Sequence, residues 1–496
     1  MKKILSTLAM ATLPALALNA CSTSNTAQSS GMAALPSIAQ HGGRVHRNDN
    51  GAGDLHGGGA TFPAYGYNLG DQPTGMYTAA QPTPGPGSLL YNVAQKNGDG
   101  NNYYYCLTGS GFGRHEFYGT IDDGAAACAA LGASPTGFGG RGDPVDWVGS
   151  DVALASTECC ASGTPYATSY ASTYGQPFEF PTFGGPIVIP YIDSNGQGLT
   201  GLGSNQLKLS TWTYCAISNG TIGYWDDGAI TADNGGKAVA GHQPITFYYR
   251  SDGSGTTYLF ENKLNDGKSG CNQTFKGKYA KSPYGGGGRN AAWPYGLPSL
   301  STLTWTGPSG TQSSGSTFVG ASGNPGIIGG IQSGTGSPYA TGYAEGAWAK
   351  AASNPTLGQA ALQSGTKFAS PTSTKAVAEA LAKATASQIQ FGMGADGTSL
   401  GSSTPKCQLY MPPAAFVNPP AGAYPIVGLS YFMFYGKDQV RGGVSHYKDL
   451  KSLIQYIDSK TWNEALSPLE YSPLAKSTQK KIQKALGGGK KSCLKS

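Results

Sequence analysis

The sequence predicts an α/β protein with largely parallel sheets, because short apolar runs alternate with stretches of helical periodicity. The apolar runs lie at 145–148, 187–192, 245–249 and 426–434, and each is predicted to form a buried strand. At 496 residues the chain is also too long for one ordinary core, which favours two or three domains.

Three amphipathic patterns predict helices between and after these strands. The first spans 374–384 with Thr374 as its cap, the second spans 447–457, and the third spans 474–486 and stops at Gly487. Long insertions rich in Gly, Ser and Tyr, notably 283–296 and 305–323, interrupt this pattern of strands and helices.

The composition is typical of a loop-rich, secreted globular protein. Charged residues make up 12% of the chain, there are 76 glycines, and 29 tyrosines outnumber 16 phenylalanines. A disordered chain would carry few aromatic residues and a high charge, and a collagen would repeat glycine every third residue, so both classes are excluded.

The net charge of +6 comes largely from lysines that cluster at 476–495. A basic end of this kind could contact nucleic acid or an anionic membrane surface. Because no aromatic residues interleave with these lysines, as single-strand binding requires, we expect no nucleic-acid partner. The interpretation is a solvated helix end followed by a frayed basic tail at 489–496.

The N-terminus carries the pattern of a secretory signal peptide over residues 1–20. Lys2 and Lys3 precede an apolar stretch from 4 to 20, and Cys21 follows. The run 18–21 resembles a lipoprotein cleavage box, in which Cys21 becomes the lipid anchor; because Asn19 is unusual there, ordinary cleavage is the alternative. Residues 21–50 are predicted to be a flexible tether, and no later run is long enough for a spanning helix. We expect an exported protein of the periplasm or cell surface.

Eight further cysteines predict disulfide bonds, as expected of an exported protein. Their connectivity stays open, although the adjacent Cys159 and Cys160 are expected to bond to separate partners. A metal site is the rival interpretation, but no CxxC pair and no HxxxH spacing supports it, and we predict neither a metal nor a cofactor.

Four segments combine glycines with hydroxyl or charged side chains, a combination that suits anion binding. They are 57–63, 108–114, 145–151 and 250–257. The second segment lacks the Gly-Lys-Ser/Thr ending of a nucleotide-binding P-loop and the spacing of an esterase nucleophile elbow. The second, third and fourth segments follow or end a predicted strand, and ligands of open α/β sheets bind at the carboxyl ends of strands.

The fourth segment is the most specific signal in the chain. Arg250 offers a bidentate charged donor for an oxyanion, and Asp252 is placed to hold its guanidinium. Hydroxyl groups come from Ser254 and Thr256, and Gly255 adds an open backbone N–H group.

In this order the four segments resemble those of the phosphate-binding receptors of bacterial ABC importers. The likeness continues at 223–227, 342–345, 424–426 and 469–474. The opening at 54–61 is especially similar to the secreted DING branch, with Leu55 and His56 in place of the signature Ile and Asn. The resemblance covers roughly 54 to 475, and the long insertions are where the chain departs from it.

The resemblance implies a two-lobed periplasmic-binding-protein fold of type 2, with hinge strands and a central cleft that closes on phosphate. Lobe one would comprise 50–188 and 424–488, and lobe two 189–423. An inner-membrane ABC transporter permease would be the partner. The residues implied to bind phosphate are Thr61, Phe62 through its backbone N–H, Ser110, Asp151, Arg250, Ser254, Gly255 and Thr256, with Asp252 in support.

The aspartate in this set predicts selectivity. Phosphate near neutral pH still carries a proton, which Asp151 can accept, whereas sulfate has none to give. A buried acceptor left unpaired rejects such an analogue by about 10⁴ or more.

Two rival functions stay open at this point. A phosphatase would need a nucleophile and a base, and of the six histidines only His56 and His115 lie beside the proposed ligand segments. No catalytic residue is predicted. A surface adhesion or matrix protein would suit the Gly- and Tyr-rich insertions but would not need the segment at 250–257.

Overall fold

The computed structural model describes residues 55–71, 84–98, 103–118, 145–157, 159, 174–264, 266, 271, 315–437, 440–441, 444–457, 459–486 and 493–494. The predicted signal peptide, the tether and Cys21 lie outside these residues, as does the insertion at 283–296. The described residues belong to one compact unit. None of their helices is long and apolar enough to cross a membrane.

Strands and helices alternate along much of the chain. The strands are β1 Leu55–Gly59, β2 Tyr103–Cys106, β3 Trp147–Ser150, β4 Pro177–Val188, β5 Pro190–Ile192, β6 Lys208–Leu209, β7 Thr246–Arg250, β8 Thr317–Ala321, β9 Ala340–Gly342, β10 Ala344–Glu345, β11 Leu357–Gln359, β12 Ala361–Ser364, β13 Lys367–Ala369, β14 Gln390–Phe391, β15 Leu409–Tyr410, β16 Val427–Tyr435, β17 Val440–Arg441, β18 Val444–Ser445 and β19 Ser472–Pro473. The α-helices are α1 Leu89–Asn97, α2 Ser110–Phe117, α3 Thr211–Ser218, α4 Gly228–Asp233, α5 Gly255–Leu264, α6 Gly323–Ser333, α7 Gly346–Ala351, α8 Thr374–Leu381, α9 Tyr447–Tyr456, α10 Lys460–Leu466 and α11 Lys476–Leu486.

A seven-stranded sheet has the order β10-β4-β16-β3-β1-β2, with β19 also paired to β4. Pairing is parallel only from β3 through β1 to β2 and antiparallel elsewhere. The long strands β4 and β16 are buried along their whole length, consistent with a sheet covered on both faces.

A five-stranded sheet has the order β11-β5-β9-β7-β8. Its parallel part is again a set of three strands, with β7 between β8 and β9, and the other pairs are antiparallel. The α/β fold class is confirmed, but the expectation of largely parallel sheets is wrong, because parallel pairing is limited to these two sets of three strands and the short pair of β6 and β12, and most other described pairs are antiparallel.

The predicted elements are close to those observed. The predicted strands at 245–249 and 426–434 match β7 and β16, with both ends shifted by one residue toward the N-terminus. The run at 187–192 covers the end of β4 and all of β5. Helix α8 is capped by Ser373, whose hydroxyl accepts the N–H of Ala376 at 3.3 Å, so the assignment of the cap to Thr374 is wrong. Strand β8 lies inside the insertion at 305–323, since Phe318 and Val319 favour a strand despite the surrounding glycines.

An aromatic cluster fixes the chain just after β1. The ring of Tyr67 packs edge-on against Trp147 and Phe183, with centroids 5.3 Å away in both cases. Trp147 in turn stacks on Phe432 at 4.7 Å, and all four side chains are buried. Edge-on and stacked arrangements are the favoured geometries of aromatic pairs. The loop that carries Thr61 is therefore anchored to β3, β4 and β16.

Disulfide bonds join Cys215 to Cys271 and Cys407 to Cys493. Cys106 and Cys159 are disulfide-bonded as well. Cys493 and Leu494 are buried, so these two residues of the C-terminal segment are held against the fold, where the sequence suggested a frayed tail.

The bond between Cys407 and Cys493 closes a loop with a sequence separation of 86 residues. Without this bond the unfolded chain gains conformational entropy, which lowers the free energy of unfolding by about 4 kcal/mol. We expect the double variant Cys407→Ser/Cys493→Ser to lose this amount from its free energy of unfolding in urea. A loss below about 1 kcal/mol would contradict a stabilising role of this bond.

Candidate functional site

The loops after β1, β2 and β3 meet at one edge of the seven-stranded sheet, because these strands are parallel and their carboxyl ends coincide. β1 leads to Thr61, β2 leads to Ser110 at the start of α2, and β3 is followed directly by Asp151. All three side chains are buried. A hydrogen bond from Gly109 N to Gly59 O, 2.7 Å long, ties the first two loops together.

The parallel strands of the five-stranded sheet supply a second set of loops. Arg250 is the last residue of β7, and α5 begins five residues later at Gly255. β8 is followed by the start of α6, where Asn324 is fully buried.

Direct contacts join the two sets of loops. Arg250 Nη1 donates to Thr61 Oγ1 at 3.3 Å, and Gly111 N donates to Gly253 O at 3.1 Å. A methyl group placed on Gly255 would lie 2.5 Å from Ser110 Oγ and 2.6 Å from Asp151 Oδ2. The four segments singled out from the sequence therefore converge.

Arg250 is held by Asp252 in the arrangement predicted from the sequence. Its Nε donates to Asp252 Oδ1 at 2.6 Å, and its Nη2 donates to Asp252 Oδ2. Burial lowers the pKa of Arg250, but the adjacent Asp252 carboxylate outweighs this, and the net pKa lies above its ordinary value. The Asp252 side chain is 8% exposed; its partial burial raises its pKa, but the Arg250 guanidinium outweighs this and holds the pKa below the usual range. While Nε and Nη2 of Arg250 bind Asp252, its Nη1 faces the hydroxyl groups of Thr61 and Thr256.

Asp151 is the second charged group of the site, and it is 2% exposed. Burial raises the pKa of Asp151 to about 8, although Arg250 and the Ser110 hydroxyl oppose the shift. Ser110 Oγ lies 3.4 Å from Asp151 Oδ2, whereas Oδ1 is buried without a hydrogen-bond partner among the described residues. A buried polar atom without a partner is costly, so this oxygen points to a ligand.

Ser254 caps helix α5, since its hydroxyl accepts the N–H of Thr257 at 3.0 Å. The accepting hydroxyl keeps its own hydrogen free to donate. The N–H groups of Gly255 and Thr256 belong to the first turn of this ten-residue helix and have no carbonyl partner within it. Such groups favour anions.

Other residues that support the site were missed by the sequence analysis. Trp348 Nε1 donates to Thr61 O at 2.7 Å, and Tyr471 Oη donates to Phe62 O at 2.6 Å. Tyr343 Oη accepts the N–H of Arg250 at 3.1 Å. Tyr343 and Tyr471 lie in strings noted for their resemblance, but nothing local revealed their contacts.

Of the two histidines beside the ligand segments, only His56 has a described side chain. His56 lies within β1, where its backbone N–H donates to Asp146 and its ring stacks on Tyr104. His115 lies in α2, but its side chain is outside the described residues. Within the described residues, no group of three or more His, Cys, Asp and Glu side chains could hold a metal ion.

Comparison with protein families decides the relationship. Residues 139–461 match the family described as a PBP superfamily domain, which is more than half of the chain. The chain belongs to the PBP superfamily. The chain is 29% identical over 238 residues to "Phosphate-binding protein PstS 3" of Mycobacterium leprae, covering 47% of this chain and 54% of the relative.

A second relative, "Alkaline phosphatase L" of Pseudomonas aeruginosa, is 28% identical over 230 residues, covering 46% of this chain and 49% of the relative. The chain thus spans about half the length of these curated relatives. The resemblance to phosphate-binding receptors seen in the motifs is confirmed by relatives of this kind.

Solved structures agree with the fold. One is a high affinity periplasmic phosphate-binding protein (PfluDING) bound with phosphate. It has a TM-score of 0.54 and 21% identity, and the match covers 87% of this chain and 93% of that protein's chain. Another, a DING protein, has a TM-score of 0.54 and 20% identity and covers 87% of this chain and 94% of its own. The predicted periplasmic-binding-protein fold class is confirmed.

Proposed function

We propose that the protein is an exported, non-enzymatic receptor that captures inorganic phosphate for uptake by an ABC transporter. The observation that carries the proposal is the convergence of Arg250, the hydroxyl groups and the N–H groups of α5 around a buried Asp151. An oxyanion removed from water needs a hydrogen bond to nearly every oxygen, and this shell supplies them. The proposed ligands are those implied by the resemblance, with Asp252 in support.

The unpaired Oδ1 of Asp151 supports phosphate over other oxyanions. An ionised carboxylate can only accept hydrogen bonds, so it needs a ligand that still carries a proton. Phosphate meets this requirement at neutral and moderately alkaline pH, and sulfate does not. Arsenate has the same property and is the matched competitor in a binding assay.

The placement of the two sets of loops supports closure around the ligand. We assign lobe one to 50–188 plus 424–488 and lobe two to 189–423. Thr61, Ser110 and Asp151 then come from lobe one, and Arg250 and α5 from lobe two. Phosphate that contacts both sets draws the lobes together by a hinge motion. Small-angle X-ray scattering should show a smaller radius of gyration with phosphate; an unchanged radius would contradict closure.

Gly255 gives a test of the binding geometry. We expect Gly255→Ala to weaken phosphate binding by about 10- to 10²-fold, because overpacking a filled site costs about 1–3 kcal/mol and the methyl group also occupies the ligand's side of α5. Gly228→Ala is the matched control, since Gly228 also begins a helix but has nothing within 4 Å of the added methyl group. Equilibrium dialysis with labelled phosphate measures both variants. Equal affinities would contradict the assigned position of the ligand.

We propose that Cys21 is lipidated after cleavage of residues 1–20, which would hold the protein at a membrane through the lipid alone. In cells fed labelled palmitate, we expect the label on the wild-type protein and none on Cys21→Ser. Label on neither protein would instead support ordinary cleavage and release.

Phosphoester hydrolysis is the second candidate function, and the name of the Pseudomonas relative is the observation in its favour. A buried pair of His446 and Asp146, 2.7 Å apart, is the kind of group that could serve a hydrolase. Asp146 precedes β3 and Asp151 follows it, so the pair lies at the opposite end of the strand from the proposed phosphate site. We therefore expect no turnover of p-nitrophenyl phosphate; turnover abolished by His446→Ala would favour the hydrolase.

A further inference from the structure

Asn324 contacts two of the hydroxyl groups assigned to the ligand. Its backbone N–H donates to Thr61 Oγ1 at 3.2 Å, and its Nδ2 donates to Thr256 Oγ1 at 3.4 Å. The residue is completely buried in the first turn of α6, next to Pro325. Asn324 thus contacts both threonines, although it belongs to none of the four segments that the sequence analysis singled out.

The hydrogen bonds at Thr61 fix the direction of its hydroxyl hydrogen. A hydroxyl group has one hydrogen to donate and two lone pairs that accept. Thr61 Oγ1 accepts from Arg250 Nη1 at 3.3 Å and from Asn324 N at 3.2 Å. Both lone pairs are used, so the hydrogen is directed away from these two donors.

The same count applies to Thr256. Its Oγ1 accepts from Arg250 Nη1 and from Asn324 Nδ2, both at 3.4 Å. The amide of Asn324 cannot turn over without loss, because its Oδ1 accepts the backbone N–H of Glu345 at 3.3 Å. A flipped amide would set two donors against each other at Glu345, and its oxygen would accept the Thr256 hydrogen in place of the ligand.

We infer that Asn324 is a positioning residue that keeps Thr61 and Thr256 as hydrogen donors toward the bound anion. The inference rests on the proposed phosphate site and adds a rule for orientation. Oxygens without a proton face Thr61 and Thr256, and the protonated oxygen faces Asp151. The pair of threonines thereby rejects a ligand that must donate a proton at their positions, so that phosphate binds in one orientation.

A double-mutant cycle in phosphate affinity tests this role for Thr256. The variants are Asn324→Ala, Thr256→Val, and the two combined, each titrated with phosphate beside the wild-type protein. Each single variant should bind phosphate about 10-fold more weakly, since one hydrogen bond is lost or left unoriented. The combined variant should bind within about 2-fold of Thr256→Val, because Asn324 acts through a hydroxyl that is already absent.

Gln332→Ala is the control on the same helix, because Gln332 donates to Pro355 O and does not contact the threonines. It should bind phosphate like the wild type. A merely structural role for Asn324 would lower the melting temperature and give losses that add in the combined variant, and that result would overturn the inference. An Asn324→Ala affinity equal to that of the wild type would overturn it as well.

If Asn324→Ala does not fold, Asn324→Asp gives the same cycle with a side chain of equal size. Its carboxylate accepts the Thr256 hydrogen, so its loss of affinity should exceed 10-fold with Thr256 present and shrink in the Thr256→Val background. Equal losses in both backgrounds would overturn the inference. Failure of the wild-type protein to bind phosphate is a separate result, which removes the proposed function itself.

Discussion

Removing the Arg250 guanidinium is expected to weaken phosphate binding by at least about 10²-fold, because truncating a buried, charged hydrogen-bonding group costs about 2–5 kcal/mol. Arg250 is 2% exposed and is the charged donor that contacts hydroxyl groups from both sets of loops, Thr61 and Thr256. Its charge is the main attraction for an anion in a site that otherwise offers neutral donors. Isothermal titration calorimetry measures the loss directly.

The single variant Arg250→Met has a second effect, since it leaves the carboxylate of Asp252 buried without its partner. Breaking a buried ion pair in this way destabilises a fold by about 3–5 kcal/mol. The informative protein is therefore Arg250→Met/Asp252→Asn, in which both charges are removed and side-chain volume is kept. Asp252→Asn alone is the matched control, because it retains the guanidinium. If the double variant is folded and binds phosphate as tightly as the control, the role of Arg250 is wrong.

Discrimination against sulfate is expected to depend on pH through Asp151. Burial raises the pKa of this carboxyl to about 8 in the ligand-free protein. Below that pH the acid can donate a hydrogen bond, so sulfate is tolerated; above it the carboxylate can only accept. Sulfate affinity should stay level below pH 8 and fall about tenfold per pH unit above it, because binding then requires uptake of a proton.

Phosphate brings its own proton and should keep its affinity over the same range. The ratio of phosphate to sulfate affinity should therefore rise about 10²-fold between pH 8 and pH 10. The sequence predicted rejection of sulfate at neutral pH. Because burial raises the pKa of Asp151 to about 8, rejection of sulfate is expected to become strong only above that pH. In Asp151→Asn the amide donates at every pH, so sulfate affinity should no longer vary. A pH-independent ratio in the wild-type protein would contradict this assignment.

Stability of the ligand-free protein gives an independent check on the same residue. Because the pKa of Asp151 is raised from 3.8 to about 8 on folding, folding takes up a proton between these values. The contribution of this proton uptake by Asp151 to the stability of the folded state is complete below pH 4 and is lost as the pH rises to 8. We expect Asp151→Asn to gain on the order of 5 kcal/mol over the wild type between pH 4 and pH 9, measured by urea unfolding.

The four ligand segments could be predicted from the sequence because each is a local string. Each combines glycines with hydroxyl groups or a charge within seven or eight residues, a combination that suits an anion-binding turn. The resemblance to phosphate-binding receptors then indicated that all four segments bind the same ligand. The structure brings these segments together, with Arg250 and Asp252 paired as expected.

Contacts between distant parts of the chain could not be predicted. Tyr471 donates to the carbonyl of Phe62 across 409 residues, and Asn324 contacts Thr61 across 263. No local pattern encodes such a pairing, because it depends on the order of strands in two sheets. The antiparallel pairing of β4 with β16 was missed for the same reason, since a buried strand has no sequence signature of its direction.

The most direct test of phosphate capture is isothermal titration of the ligand-stripped wild-type protein with phosphate and then with sulfate at pH 9. The account predicts tight one-to-one binding of phosphate and markedly weaker binding of sulfate, about tenfold weaker than sulfate binding at pH 8. Absence of phosphate binding, or a sulfate response of similar strength, would contradict it.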